Sequence, residues 1–390
     1  MRRWARMTDL DLLLRENHDY HYRPRVIDSR FVFLFAGDIF SVDSIREVIC
    51  FFNSIIARYK TIPMPVILDL GQTDFSDKLV IILLECVCAD VIETYRVDIK
   101  ITVEPRTAIQ SEGLRSSPLL LLTAQNKKKR QEFLKKFDHE IYLNHFRRTF
   151  SGSLLADSPI LSRSFDDIAF FLKVFDLQDK DREDIAEIAI ELIGNAIGHV
   201  KADCLLDIDV SRDYIKANAD GTFFGVNIGI VNFSQQLLGQ AIQEKITQDH
   251  NNLLGERYQS VKAAYRRHAS YFNELYTEQD FYTIAAFQHK ISGRRDNSIT
   301  GGTGLTGLIK GLQQRSDAHR CYLLSGRRKL LFVPRYLEYN SDEWIGFNEV
   351  NDFLETPPNQ KLIQKSLLTV PGTAFNLTFI LKRGANYDGK

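Results

Sequence analysis

The sequence predicts an α/β protein in two folded parts joined by a connector. Three observations predict it. Short apolar runs alternate with helical periods between residues 31 and 103. A second set of helices and strands occupies residues 165–381. A long helical stretch with no strand pattern, 235–291, interrupts that second set. A chain of 390 residues with 44% hydrophobic and 26% charged side chains has the make-up of two or three globular domains. Disorder, collagen and coiled coil are excluded for the chain as a whole.

In the first part, residues 31–37 read as a buried strand closed by Gly37. Ser41 and Asp43 open a helix that reaches Tyr59, with Ile45, Val48, Ile49, Phe52, Ile55 and Ile56 on one face. Pro63 and Pro65 stop it. Residues 66–70 form a second strand, 75–95 a second helix and 98–103 a third strand. Strand–helix–strand–helix–strand demands parallel pairing with helical crossovers. Residues 105–117 are polar and turn-rich, and 118–150 read as helical and basic. The expected division is 1–117, a basic helical connector at 118–159, and a second domain at 160–390 with a helical insertion at 235–300. In that domain, helices are expected at 165–175 and 181–199 and strands at 204–210 and 226–231. A glycine-rich turn and helix follow at 300–314, then a strand at 320–324 with a hairpin partner at 329–334, and a last strand at 374–381.

Fifty basic residues balance fifty acidic ones, which argues against a general nucleic-acid or membrane coat. The most basic region, 127–148, reads as a solvated helix face, because aromatic residues do not interleave its cations as a single-strand binder requires. Contact with nucleic acid or an acidic partner is the alternative. Cys50, Cys86, Cys88, Cys204 and Cys321 are odd in number and sit mostly in apolar runs, so they read as buried reduced thiols. The Cys86–Cys88 pair lacks the second pair a zinc site needs. His18, Asp19 and His21 likewise lack spaced partners and read as surface sequence. Charges interrupt the first twenty residues, which excludes a signal peptide there, and the longest apolar runs are far too short to span a bilayer. A cytoplasmic protein without membrane contact is the expectation.

Three elements carry chemistry. On the helix at 181–199, Glu191, Asn195 and His199 fall at i, i+4 and i+8, on one face, while Ile185, Ile188 and Leu192 lie opposite. A carboxylate, an amide and an imidazole in a row are costly on a half-buried helix unless they meet a ligand. A solvent-exposed polar stripe is the competing explanation. The run GGTGLTGL, 301–308, permits close backbone approach and leads into a helix, so its N–H groups can cradle an anion. It is not a P-loop, because no Lys-Ser/Thr follows the last glycine. It does fit G-x-G-x-x-G, but a loop precedes it instead of a strand, and no acidic strand end follows as a dinucleotide fold requires. The protein-kinase motifs that accompany such a loop are absent as well. The third element, VPGTAFNLTF at 370–379, is a strand entered by a turn.

Taken in order, ELIGNAIGH at 191–199, GGTGLTGLIKGL from 301, CYLLSG at 321–326 and PGTAFNLTFIL from 371 resemble the GHKL ATPases, whose nucleotide-binding domain is the Bergerat fold. The resemblance covers about 160–382. It implies that Asn195 ligates Mg²⁺, that Glu191 acts as general base on the attacking water, and that Gly301, Gly302, Thr303, Gly304, Leu305 and Gly307 wrap the phosphates of ATP. Thr373 would lie at the base edge. One box departs: Asn232 stands where the family places an adenine-reading Asp, and the glycines that should follow are missing. Residues 235–300 take the place of the lid, with Arg294 and Arg295 as candidates to meet the γ-phosphate; a structural arm or homodimer surface is the alternative.

The first part, at about 30–105, more weakly resembles a STAS-like domain. Ser76 and Asp77 straddle the position where that family carries a phosphorylatable residue, with Asp77 at the acceptor place, so docking of a protein partner is expected there rather than phosphorylation. The resemblances together imply an ATP-hydrolysing conformational switch in a bacterial-type signalling, defence or stress system. The alternatives are a serine or histidine protein kinase, with His145 the histidine acceptor, and a non-catalytic nucleotide-binding scaffold.

Overall fold

The computed structural model describes residues 7, 9–17, 22–106, 114, 116–124, 126–142, 144–154, 159–175, 177–214, 223–249, 253–292, 304–316 and 320–382. The chain is mixed α/β with open sheets. A short helix, α1 (Asp11–Arg15), precedes the first sheet. Strands β1 (Arg25–Ile27), β2 (Arg30–Leu34), β4 (Val66–Gly71) and β6 (Ile99–Val103) form it in that spatial order. β2, β4 and β6 are parallel, as the alternation with helices requires, and β1 adds an antiparallel edge. The crossovers are α2 (Val42–Tyr59) and α3 (Lys78–Tyr95), and a small parallel pair, β3 (Ile39–Phe40) with β5 (Asp74–Phe75), precedes each of them. Ser41 and Ser44 cap α2 reciprocally, and the Asp77 carboxylate accepts from Val80 N at the start of α3.

α3 is buried along most of its length, including Lys78, Glu85 and Asp90. A helix that is apolar nearly all round must be covered on both sides. Here α2 and β5 cover one side and a second sheet covers the other. That sheet is antiparallel throughout, in the order β11–β12–β10–β9–β8–β7. Its strands are β7 (His139–Tyr142), β8 (His145–Phe150), β9 (Cys204–Tyr214), β10 (Phe223–Asn232), β11 (Tyr322–Leu331) and β12 (Ile363–Lys382).

The expected helical connector is therefore corrected. Among its described residues a 3₁₀ turn at Pro118–Thr123 and helix α4 (Lys127–Asp138) are helical, and residues 139–142 and 145–150 supply β7 and β8 of the second sheet. The reason is the alternation in HFRRTF: His145 and Arg147 point to the α3 side, while Phe146 meets Phe171 on the other, their rings 5.8 Å apart. The expected hairpin at 320–334 is also corrected: β11 is one long strand with register shifts, paired to β12.

On the face away from α3 lie α5 (Pro159–Lys173), α6 (Asp179–Asn195) and α10 (Gly304–Arg315). Arg315 fastens α10 to the acidic start of α6, 2.9 Å from Asp181 and 2.7 Å from Asp184. The insertion forms α7 (Gln240–Gln248), α8 (Glu256–His268) and α9 (Glu278–Ala285). The first and last parts of the chain are tied directly: Asn17 donates to Thr369 O and accepts from Thr369 N, both at 2.8 Å. No helix among the described residues is long and apolar enough to cross a membrane, and all five cysteines are buried thiols outside any disulfide.

Candidate functional site

The two faces of the second sheet are assigned by alternation. Asn376 of β12 accepts from Leu79 N of α3 at 3.1 Å, so it faces α3. Thr373, three residues earlier, points to the opposite face, and so does its register partner Asn232. This is the face that carries α6 and α10.

On that face the structure brings four of the predicted residues together in two pairs. The Thr373 hydroxyl donates to Asn232 Oδ1. Gly372 makes this approach possible: its φ of +80° suits glycine, and any Cβ there would collide with the Asn232 carbonyl. Ser325 holds the turn from behind, donating to Gly372 O at 2.7 Å while accepting from Leu238 N at 3.0 Å. The second pair is Glu191 with Gly307. A Cβ added at Gly307 would lie 3.1 Å from Glu191 Oε2, so the first turns of α10 face the carboxylate directly.

Glu191 and Asn195 are half-buried, one turn apart at the end of α6, and neither side chain has a hydrogen-bond partner among the described residues. Burial, then the nearby Glu187, pushes the Glu191 carboxyl up to about 7. Partly desolvated polar groups without partners are costly in a finished core. Beyond Asn195 the helix runs into a π-type turn, Ala196–Val200, which holds the His199 backbone; the His199 side chain lies outside the described residues. Arg294, Arg295, Gly301, Gly302 and Thr303 also lie outside them, while Gly304 and Leu305 open α10.

The described part of the insertion is packed against the rest of the chain. Phe281 stacks on Phe353 at 5.3 Å, Trp344 stacks on Phe353 at 5.7 Å, and the Arg257 guanidinium sits 4.0 Å over the Trp344 ring. The buried Gln288 amide donates to Ile345 O at 3.0 Å and accepts from Ile345 N at 2.9 Å. Residues 240–292 are thus bound to the segment between β11 and β12. This segment also reaches the site: His289 Nδ1 is 3.4 Å from Thr306 Oγ1 in α10, and its Nε2 is 3.4 Å from Glu343. Sequence reading missed Ser325, His289 and Glu343. The only signal for them was a Ser inside an apolar strand and polar residues in an aromatic-rich loop.

The opposite face is equally polar but closed. Lys78 Nζ lies 2.8 Å from Asp207 and 2.8 Å from Asp209. Arg147 donates to Glu85, approaches Asp207 at 3.1 Å and stacks over Phe137. His145 Nε2 is 2.8 Å from Asp207 Oδ2. Burial favours the neutral imidazole, but Asp207 and Glu140 outweigh it, so the His145 pKa is raised. Burial alone would raise Asp207; His145, Lys78 and Arg147 instead hold it well below the usual carboxylate range. His145 is 1% exposed. At the start of α3, Tyr322 of the second sheet donates to Asp77 Oδ2 at 2.8 Å.

No protein family matches the chain, and no curated protein or solved structure matches it. Among the described residues, no group of three or more His, Cys, Asp or Glu could hold a metal ion. The donors at the site, one amide and one carboxylate, instead fit Mg²⁺, which keeps most of its ligands as phosphate oxygens and water.

Proposed function

We propose that this chain binds and hydrolyses a Mg²⁺-bound nucleoside triphosphate on the face of the second sheet that carries α6 and α10, in a Bergerat-type domain braced by a STAS-like unit. ATP is the nucleotide the resemblance implies. The observation that carries the reading is the Glu191 carboxylate, unpartnered, raised to about 7 and set against Gly307 in the first turns of α10. A carboxylate of that pKa is about half ionised at neutral pH and can take a proton from water in the transition state. The N–H groups of the first turn of α10 are free of intrahelical bonds and can receive phosphate oxygens. Asn195 would hold the metal, which neutralises charge on the phosphates when bound. The Asn232–Thr373 pair would meet the base. The antiparallel sheet, with α10 starting at Gly304 and Thr373 paired to Asn232, supports the Bergerat reading.

Glu191→Gln tests it. Nucleotide binding by calorimetry is expected to persist, and release of free phosphate is expected to fall by at least ~10²-fold. Unchanged phosphate release in that variant overturns the role of Glu191. Stable label from γ-labelled nucleotide on the protein, in place of free phosphate, moves the activity to a protein kinase.

A further inference from the structure

The N-terminal ends of β2, β4 and β6 share one level, because Phe31 is in register with Val66 and Val66 with Ile99. The C-terminal ends of α2 and α3 reach the same level. Tyr59, the last residue of α2, packs on Phe31 with ring centroids 5.6 Å apart. Arg96 follows the last residue of α3, just before Asp98, whose carbonyl accepts from Val66 N at 2.9 Å. Helix α4 joins them there: Arg130 donates to Arg96 O at 3.3 Å and to the Asp98 carboxylate. This end of the first sheet therefore gathers cations that the sequence scatters. Arg30, Arg58, Lys60, Arg96, Lys127 and Lys128 are all exposed, and none has a carboxylate partner among the described residues. A cation just past a helix C-terminus is favoured by the helix dipole, which accounts for Lys60 and Arg96. It does not account for Lys127 and Lys128. They open α4, where the dipole repels cations, and no acidic residue offsets them in that first turn.

We propose that this end of the first sheet binds single-stranded nucleic acid. The proposal is independent of the nucleotide reading above. The basic segment at 127–148 lacks interleaved aromatic residues of its own, and the ends of α2 and α3 supply them. Tyr59 stands between Arg58 and Lys60 and is 39% exposed. The Arg58 guanidinium lies 5.4 Å from the centre of its ring, so cation and ring are offered together. Tyr95 precedes Arg96 in the same way and is partly exposed. Neighbouring strands lie about 4.8 Å apart, so β2 and β6 are separated by about 10 Å, and one short strand can reach both sets. Its phosphates would meet the cations and its bases would stack on the rings. An acidic peptide would use the cations and leave the rings idle. A duplex keeps its bases stacked on one another and would do the same.

The test is fluorescence anisotropy of a labelled oligothymidylate titrated with the full chain. Saturable binding is expected, weakening roughly 20- to 100-fold between about 50 and 200 mM salt, as about three to five phosphate contacts require. Lys127→Glu combined with Lys128→Glu is expected to weaken binding at least ~10-fold and to flatten its salt dependence. Tyr59→Ala is expected to weaken it about 5- to 100-fold with the salt dependence kept, because stacking releases no counterions. The exposed lysine pair serves if Tyr59→Ala, which also uncovers Phe31, fails to fold. Absence of binding at about 50 mM salt overturns the proposal. So does unchanged affinity in either variant. Equal competition by poly-glutamate overturns it in favour of an acidic protein segment, and equal competition by duplex DNA reduces the contact to the phosphate backbone and overturns the preference for single strands.

Discussion

The two faces of the second sheet use polar residues in opposite ways. Toward α3, three cations, Lys78, Arg147 and the raised His145, meet three carboxylates, Asp207, Asp209 and Glu85, across elements far apart in sequence. Toward α6 and α10, Glu191 and Asn195 are half-buried and without hydrogen-bond partners among the described residues. The ion pairs on the first face make α3 part of the second sheet's core. They do so although single atoms there, Arg147 Nη1 and His145 Nδ1, are buried without a hydrogen bond. The difference between the faces is that one set of charges is sealed against its counter-charges and the other is half open.

The largest expected effect comes from removing one side of the paired face entirely. A fragment starting at residue 118 bares Arg147, Asp207 and the apolar surface under α3, and it is expected to be insoluble or unfolded by circular dichroism. A soluble, cooperatively melting fragment would mean that the buried network is dispensable. Next, Asp207→Ala takes one partner from Lys78, Arg147 and His145 at once, leaving them Asp209, Glu85 and Glu140, and is expected to cost about 3–5 kcal/mol in urea unfolding. Glu191→Gln removes an unpaired group and is expected to cost nothing; a comparable loss in both variants would erase the contrast between the faces.

The two faces also titrate in different windows. Glu191 is raised in the fold, so the folded state holds its proton more tightly, and stability falls as pH rises from the ordinary carboxyl value of 4.5 to about 7. His145 is raised too: its stabilisation is complete below 6.5 and is lost as pH climbs through its higher folded value. Melting temperatures from pH 4 to 9 should therefore show two descents. Glu191→Gln should remove the first and His145→Gln the second. The smallest effect is expected from Gly307→Ala. Its Cβ would crowd Glu191 Oε2 at 3.1 Å, reducing phosphate release several-fold, while stability changes by no more than about 1 kcal/mol.

Periodicity revealed what is local. The parallel β2–α2–β4–α3–β6 order, the Glu191–Asn195 helix, the helical insertion and the core of β12 were all legible, because each carries its own pattern of buried positions. β7 and β8 were not. In HFRRTF the positions that alternate inward include His145 and Arg147, and only Glu85 and Asp207, each 62 residues from Arg147 or His145, make their burial affordable. The packing of the insertion was hidden for the same reason: Phe281 and Phe353 recognise one another across the intervening α10 and β11. At the site, the residues were legible and their pairing was not. Nothing local to Asn232 says that Thr373 is its partner.

The bridge between Asn17 and Thr369 has a consequence for how the protein is made. The N-terminal unit leaves the ribosome long before β12 exists, with one side of α3 still uncovered. Contacts separated by 352 residues close only after nearly the whole chain has emerged. Such non-local closure is slow, and the nascent chain spends that interval with an apolar helix face exposed. Holdase chaperones should therefore capture ribosome-bound chains truncated before residue 363, and release those that extend through 382.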